Sequence, residues 1–430
     1  MTLPRPASEG LASRTRPLSE APDLLASLGP GGFAWLHDGA GLVTAGVAAR
    51  IPVGPGPDRF AEASEEVAAL LDAIAVDDPL RWPGTGPLAV GALPFHRGVA
   101  GELIVPALIV GCSPRGTGRA WVTETVPAEL IDDVGPGSSD GRRTPPDGGA
   151  VGGSGRGLSV DDGGGRVAWT AAVRRALDRI ADGPLAKVVL AREVAVESAL
   201  PFARRQVLAH LQETHRSSFT YAAGGFVGSS PELLVRRRGG RVLSRPMAGT
   251  APRGVDRADD ERLGSALASS AKEAEEHALV VEAVRSALEP VCREVVATAG
   301  PELVRLATVT HLATTVAGHL AEPSPSALAL AGLLHPTPAV GGLPRADALA
   351  AIAELEGFDR GLYAGPVGWL DCRGDGDWVV ALRCAHLDGR HARVVAGAGI
   401  VADSDPDAEW SETEAKLRPM LEALSAAARS

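Results

Sequence analysis

Trp378-Val-Val-Ala-Leu-Arg-Cys-Ala-His-Leu387 and Ala392-Arg-Val-Val-Ala-Gly-Ala-Gly-Ile400 are two apolar runs joined by the polar turn Asp388-Gly-Arg390. Branched and aromatic residues on both sides of a glycine turn predict two strands, residues 378–387 and 392–400, folded back on each other. The same grouping recurs upstream. Residues 187–196 alternate like a strand, and 219–225 and 233–238 predict two more, broken at Ser229-Ser-Pro231. Residues 102–110 read as a strand as well. Helical spacing of apolar residues appears at 61–75, 169–181 and 407–427, and a long Ala-, Glu- and Leu-rich helical region is expected over 259–297. Strands therefore come in hairpin-like groups and not in regular alternation with helices. That pattern predicts an α+β fold and not a doubly wound sheet.

Outward from these elements, residues 133–166 are dominated by Gly, Ser, Pro and Asp, which cannot bury enough apolar area to offset their ordering entropy. They are expected to form a flexible loop between a first half, 1–132, and a second half, 167–430. The chain of 430 residues is long enough for one large core. Its net charge of −11 argues against a nucleic-acid partner, and any anionic ligand then needs a local cationic site. No apolar run is long enough to span a bilayer, so no membrane partner is expected. The N-terminus, Met1-Thr-Leu-Pro-Arg-Pro6, lacks an apolar signal region, so a cytoplasmic protein is the expectation. Cys112, Cys292, Cys372 and Cys384 are scattered without metal-ligand spacing and read as buried thiols.

Only three lysines, Lys187, Lys272 and Lys416, stand among the 42 Lys and Arg residues. Lysine differs from arginine in that it can lose its proton when desolvated. Lys187 shares a strand face with Val189 and Ala191, an apolar setting that makes it a candidate general base, although a snorkelling edge-strand lysine fits the same pattern. Glu232 lies between a Ser-Ser-Pro turn and Leu233-Leu234-Val235, where apolar neighbours raise a carboxyl pKa toward that of a general acid. Glu273 and Glu276 are three residues apart, as are Glu409 and Glu412, so each pair projects from one helix face. Facing each other they would offer hard oxygen ligands suited to Mg²⁺. As two solvated faces they would do no more than form ordinary pairs such as Glu412–Lys416, worth about 0.3–0.5 kcal/mol. Pro246-Met-Ala-Gly-Thr250 and Ala396-Gly-Ala-Gly399 let a ligand approach backbone amides, and Arg383 is a charge inside an apolar strand that calls for a carboxylate partner.

Ten segments in order then resemble one family, the chorismate-utilising enzymes. They are Ala186-Lys-Val-Val-Leu-Ala-Arg192, Ser229-Ser-Pro-Glu-Leu-Leu234, Met247-Ala-Gly-Thr250, Glu275-Glu-His277, His311-Leu-Ala-Thr314, Leu334-His-Pro-Thr-Pro-Ala339, Tyr363-Ala-Gly365, Leu382-Arg-Cys-Ala385, Gly397-Ala-Gly-Ile400 and Glu409-Trp-Ser-Glu-Thr413. The likeness covers residues 169–424, and the earlier part of the chain matches weakly. It implies a single large domain of two packed antiparallel sheets with helices outside, and chorismate as the small-molecule substrate. Glu276 and Glu412 would hold Mg²⁺, with Glu273 and Glu409 supporting. The metal, Lys416 and the amides near Gly397 would take the ring carboxylate, and Arg383 and Tyr363 the enolpyruvyl carboxylate. Gly249, Thr250, His311 and Ala339 complete the implied substrate-binding set. Family members are often monomers, and a monomer is the expectation here.

Within the family resembled here, the aminating branch typically carries Gln at the position of Lys187, and aminodeoxychorismate synthases carry a nucleophilic Lys at that of Ala248. The resemblance therefore implies the isochorismate synthase branch, in which water adds at C2 with Lys187 as base while Glu232 protonates the departing 4-hydroxyl. Salicylate synthases, which go on to eliminate pyruvate, keep the same acid and base but more often carry Thr at the position of Ala339. The pathway served, whether menaquinone, a catechol siderophore or a salicylate-derived compound, stays open. The long Gly-rich stretch departs from the family pattern.

Overall fold

A computed structural model describes residues 10–114, 117–132 and 158–429. Two large sheets, of 13 and nine strands, carry the fold, and a three-stranded sheet stands beside them. Pairing is antiparallel except between Leu11–Pro17 and Ala75–Asp77, in line with the α+β expectation. Both large sheets take strands from either side of the 133–157 stretch: Phe33–His37 lies next to Phe219–Ala223, and Leu88–Ala92 next to Pro366–Asp371.

Side chains that alternate across a strand explain the layering. Phe33 and Trp35 join the apolar cluster that fills the space between the large sheets, together with Val90, Val367 and Val379 of the opposite sheet. Ala34 and Leu36 point the other way, into a second cluster with helices Arg204–Thr214 and Pro406–Arg429. The 13-stranded sheet is thus covered on both faces. Its C-terminal helix rests Leu417, Met420 and Leu424 on it and turns its acidic first turns toward the strand ends. Among the described residues no helix is long and apolar enough to cross a membrane.

Several expectations are corrected. Residues 259–297 are not one helical region. Arg257–Ser269 and Ala271–Leu288 are separate helices, because Ser270 is extended and its side chain accepts from the Glu273 amide at 3.3 Å. This Ser-x-x-Glu start is a cap signal that the Ala-rich composition overshadowed. Pro290 follows the second helix, and Cys292–Ala297 is a strand. Residues 102–110 are split by Pro106 into Gly101–Val105 and Leu108–Cys112, which belong to different sheets. Residues 378–387 are split too: Gly376–Val380 lies in the nine-stranded sheet and Cys384–Asp388 in the 13-stranded one. Of the loop expected over 133–166, residues 133–157 lie outside the described residues. Beyond them Ser159–Asp161 pairs with Ala195–Glu197, and a helix begins at Gly165. The thiols also differ from expectation, since Cys372 is exposed and Cys292 only partly covered.

Candidate active site

The site lies where Lys187–Glu197 and His391–Ile400 run side by side at the mouth of the intersheet core. Their ladder pairs Val189 with Gly399 and Ala191 with Gly397. Cys384–Asp388 covers the far edge of the second strand only as far as Val395, so residues 396–400 keep an open edge. The Gly397 carbonyl uses it, accepting from Lys416 Nζ at 3.0 Å. Gly397 is required by close approach, since a Cβ there would lie 2.7 Å from the Leu190 carbonyl oxygen, and Gly399 is closely packed. A Cβ at Gly399 would come within 3.0 Å of Lys187 Cε, and one at Gly397 within 3.0 Å of the Tyr363 hydroxyl.

Lys187, only 3% exposed, crosses this floor to meet Glu276 Oε1 at 2.6 Å. The wholly apolar setting expected for it is therefore corrected: a carboxylate from the helix Ala271–Leu288 sits against the amine. Lys416 makes the matching contact on the C-terminal helix, with Glu412 Oε1 at 2.6 Å. Glu232 stands at the start of strand Leu233–Arg238, 3% exposed, and among the described residues its carboxylate has no hydrogen-bond partner. Burial raises its pKa to about 8 even though Arg383, Lys187 and Lys416 pull the other way.

Arg383 reaches the cavity because the chain switches sheets at this point. Residues 381–383 leave one sheet and enter the other, and Arg383 takes a φ of 46°, a left-handed conformation costly for a non-glycine residue. Its guanidinium lies 2.9 Å from His311 Nε2. Arginine can only donate, so Nε2 accepts and the ring proton is on Nδ1, which donates to the Gly249 carbonyl at 3.1 Å. Burial, then the Arg383 charge, hold the His311 pKa well below its ordinary value and keep the ring neutral. His311 thus orients Arg383 without adding charge. Thr250 adds its hydroxyl 3.2 Å from His311 Nδ1, and its amide donates to Glu273 Oε2 at 3.2 Å.

The structure brings the twelve residues Lys187, Glu232, Gly249, Thr250, Glu276, His311, Ala339, Tyr363, Arg383, Gly397, Glu412 and Lys416 onto the wall of one cavity. Glu273 and Glu409 border an adjoining cavity that shares Glu276 and Glu412 with the first. Crowding of like charge shows there. Burial, then Glu412, push Glu409 up to about 7, and burial, then Glu276, raise Glu273. Among the described residues no three His, Cys, Asp or Glu side chains close on one point as a ready-made cage. Mg²⁺ does not need one, since it keeps several waters and binds through one or two carboxylates plus ligand oxygens. The four carboxylates therefore fit that ion by donor type.

Beyond the expected set, Val189, Val340 and Leu382 supply apolar wall, and Tyr221 donates to the Leu382 carbonyl at 3.0 Å. Nothing in the local sequence marks these residues, because ordinary core positions have the same pattern.

One cavity thus gathers a buried carboxyl, two lysines, an arginine and two glutamates, with two more glutamates in the cavity beside it, a set of groups suited to an enzyme that handles a small anion. Residues 159–425 match the family model described as chorismate binding enzyme, and the chain belongs to that family. It is 36% identical over 426 residues to the isochorismate synthase DhbC of Bacillus subtilis, with 94% of this chain and 96% of the relative covered. It is 34% identical over 370 residues to the vibriobactin-specific isochorismate synthase of Vibrio cholerae, with 85% of each covered. Among solved structures, the menaquinone-specific isochorismate synthase MenF of Escherichia coli superposes with a TM-score of 0.79 at 26% identity, covering 98% of this chain and 96% of that one.

Proposed function

We propose that the protein is a Mg²⁺-dependent isochorismate synthase that interconverts chorismate and isochorismate. The observation that carries the reading is Glu232, a buried carboxyl with its pKa raised to about 8, on the wall of the same cavity as Lys187. At neutral pH such a group is mostly protonated and can donate to a leaving hydroxyl. Arg383, oriented by His311, and Tyr363 bind the enolpyruvyl carboxylate. Lys187 takes a proton from a water as that water bonds to C2. The ring double bonds shift, the C4–O bond breaks, and Glu232 protonates the departing hydroxyl. One water enters and one leaves. Glu276 and Glu412, with Glu273 and Glu409 supporting, would hold Mg²⁺, which would supply positive charge against the ring carboxylate. The relatives named above, together with Lys187 and Ala248 at the branch-defining positions, support water and not ammonia as the nucleophile.

Chromatography of chorismate incubated with the protein, with and without Mg²⁺, tests this. Isochorismate in equilibrium with chorismate, formed only with Mg²⁺, is the expected result. Salicylate plus pyruvate would assign the lyase-competent branch instead, and intact chorismate in both incubations would overturn the proposal.

Two further results are expected. Glu276→Gln raises the Mg²⁺ concentration for half-maximal activity about tenfold, equivalent to roughly 1.4 kcal/mol of metal affinity. An unchanged Mg²⁺ titration would remove Glu276 from the ligand set. The rate of isochorismate formation falls above about pH 8, approaching tenfold per pH unit, as Glu232 loses the proton it must donate. A rate that stays flat to pH 9.5 would exclude Glu232 as the acid.

A further inference from the structure

We infer that the buried pair Glu356–Arg360 is a positioning unit that aligns the Lys187 strand with the opposite cavity wall, a role that rests on the active-site reading above. Neither residue lines the cavity, and their side chains are 3% and 0% exposed.

The strand Lys187–Glu197 has a full partner on one edge only. On its other edge Gly342–Leu343 pairs with just Lys187 and Val188, and Ser159–Asp161 joins only at residues 195–197. The Val189 amide still reaches the Gly341 carbonyl at 2.9 Å, but the Val189 carbonyl and the Ala191 amide would be buried without a backbone partner, a costly condition. Side chains take over. Glu356 Oε1 accepts from the Ala191 amide at 2.7 Å, and Arg360 donates to the Val189 carbonyl at 2.7 Å. The same guanidinium donates to the Val340 carbonyl at 2.9 Å, grips Glu356 at 2.8 and 2.5 Å, and lies 5.8 Å from the Tyr363 ring centre. Val189, Val340 and Tyr363 each line the cavity. One planar fork therefore ties together three separate pieces of the wall.

Stability alone does not account for the pair. A fully buried ion pair gives up the hydration of both charges, and well-packed apolar residues of similar volume often do as well or better. An apolar pair cannot supply two donors and an acceptor at fixed reach to a strand and a loop. Reach is what positioning needs, because misplacement by about 1 Å can cost about 10²-fold in rate.

Two substitutions at Glu356 separate reach from charge. Glu356→Asp keeps the charge but is one methylene too short for the Ala191 amide, and Glu356→Gln keeps the reach but loses the charge. Glu356→Asp is expected to lower kcat at least about tenfold, with KM within about threefold of wild type. Glu356→Gln lowers kcat less than Glu356→Asp does, its main loss falling on thermal stability because the buried Arg360 charge is left without its carboxylate. Amide hydrogen exchange adds a readout independent of the product formed: peptides covering 187–197 exchange faster in Glu356→Asp than in Glu356→Gln, which keeps the acceptor for the Ala191 amide. Should Glu356→Asp fail to fold, Arg360→Lys replaces it, because a single ammonium cannot serve both carbonyls and Glu356. Equal kcat for Glu356→Asp and Glu356→Gln, or unchanged exchange in 187–197 for the short variant, overturns the positioning role. If wild type makes no isochorismate but the exchange pattern appears, the assigned reaction fails and the positioning role stands.

Discussion

Lys187→Ala is expected to lower the rate of isochorismate formation by about 10³-fold while changing the dissociation constant for chorismate by less than about threefold. General-base catalysis is worth roughly 10²–10⁴-fold, and the substitution removes the amine that takes the proton from the attacking water. The carboxylate contacts assigned to Arg383 and Tyr363 are untouched, so binding persists. Folding survives as well. Glu276, which loses its partner 2.6 Å away, keeps 19% of its side chain exposed and is not left stranded in an apolar interior. Stopped-turnover kinetics beside equilibrium binding of chorismate provide the check. Near-normal turnover would show that water reaches C2 without help from this lysine, whereas a parallel loss of binding would make Lys187 a substrate contact.

Glu232→Gln is expected to cost a similar factor, about 10²–10⁴-fold, because the amide fills the same space and can hydrogen-bond but cannot deliver a proton. The substitution also has a stability signature of opposite sign. With a folded pKa near 8 against about 4.3 when unfolded, the folded state holds more protons than the unfolded state between these values. The contribution of Glu232 to stability is therefore fully present below about pH 4 and is lost as pH rises, at up to about 1.4 kcal/mol per unit, until the folded pKa is passed. Gln has no such loss. Thermal unfolding at pH 6 and at pH 9 should find the variant gaining on wild type at the higher pH while remaining nearly inactive at both. A variant that unfolds alike with wild type across that range would mean Glu232 is ionised in the folded protein and is not the acid.

Much of this site was legible in the chain because its signals are local. A polar Asp-Gly-Arg turn between two apolar runs announces a strand pair, the three-residue spacing of Glu273 and Glu276 puts both on one helix face, and a carboxyl beside Leu233-Leu234-Val235 announces a raised pKa. What stayed hidden was non-local. Composition merged two helices and a strand between residues 257 and 297, since a single extended residue, Ser270, outweighs the helix-favouring residues around it only when the tertiary structure turns the chain there. The apolar surroundings of Lys187 concealed a carboxylate 89 positions away. Glu356 and Arg360 carry no local signal, and only packing against an unfinished strand edge sets them apart from a solvated pair. By itself the sequence put forward Glu232, Lys187, Arg383 and Lys416 as candidate acid, base and anion-binding charges, because polarity and facing depend on neighbours within a few residues and because ten ordered segments resemble one family. The tertiary structure decided which of them meet: Arg383 enters the cavity at a φ of 46° because the chain must cross there from one sheet to the other, a constraint set by two sheets packing and by no residue near it in sequence.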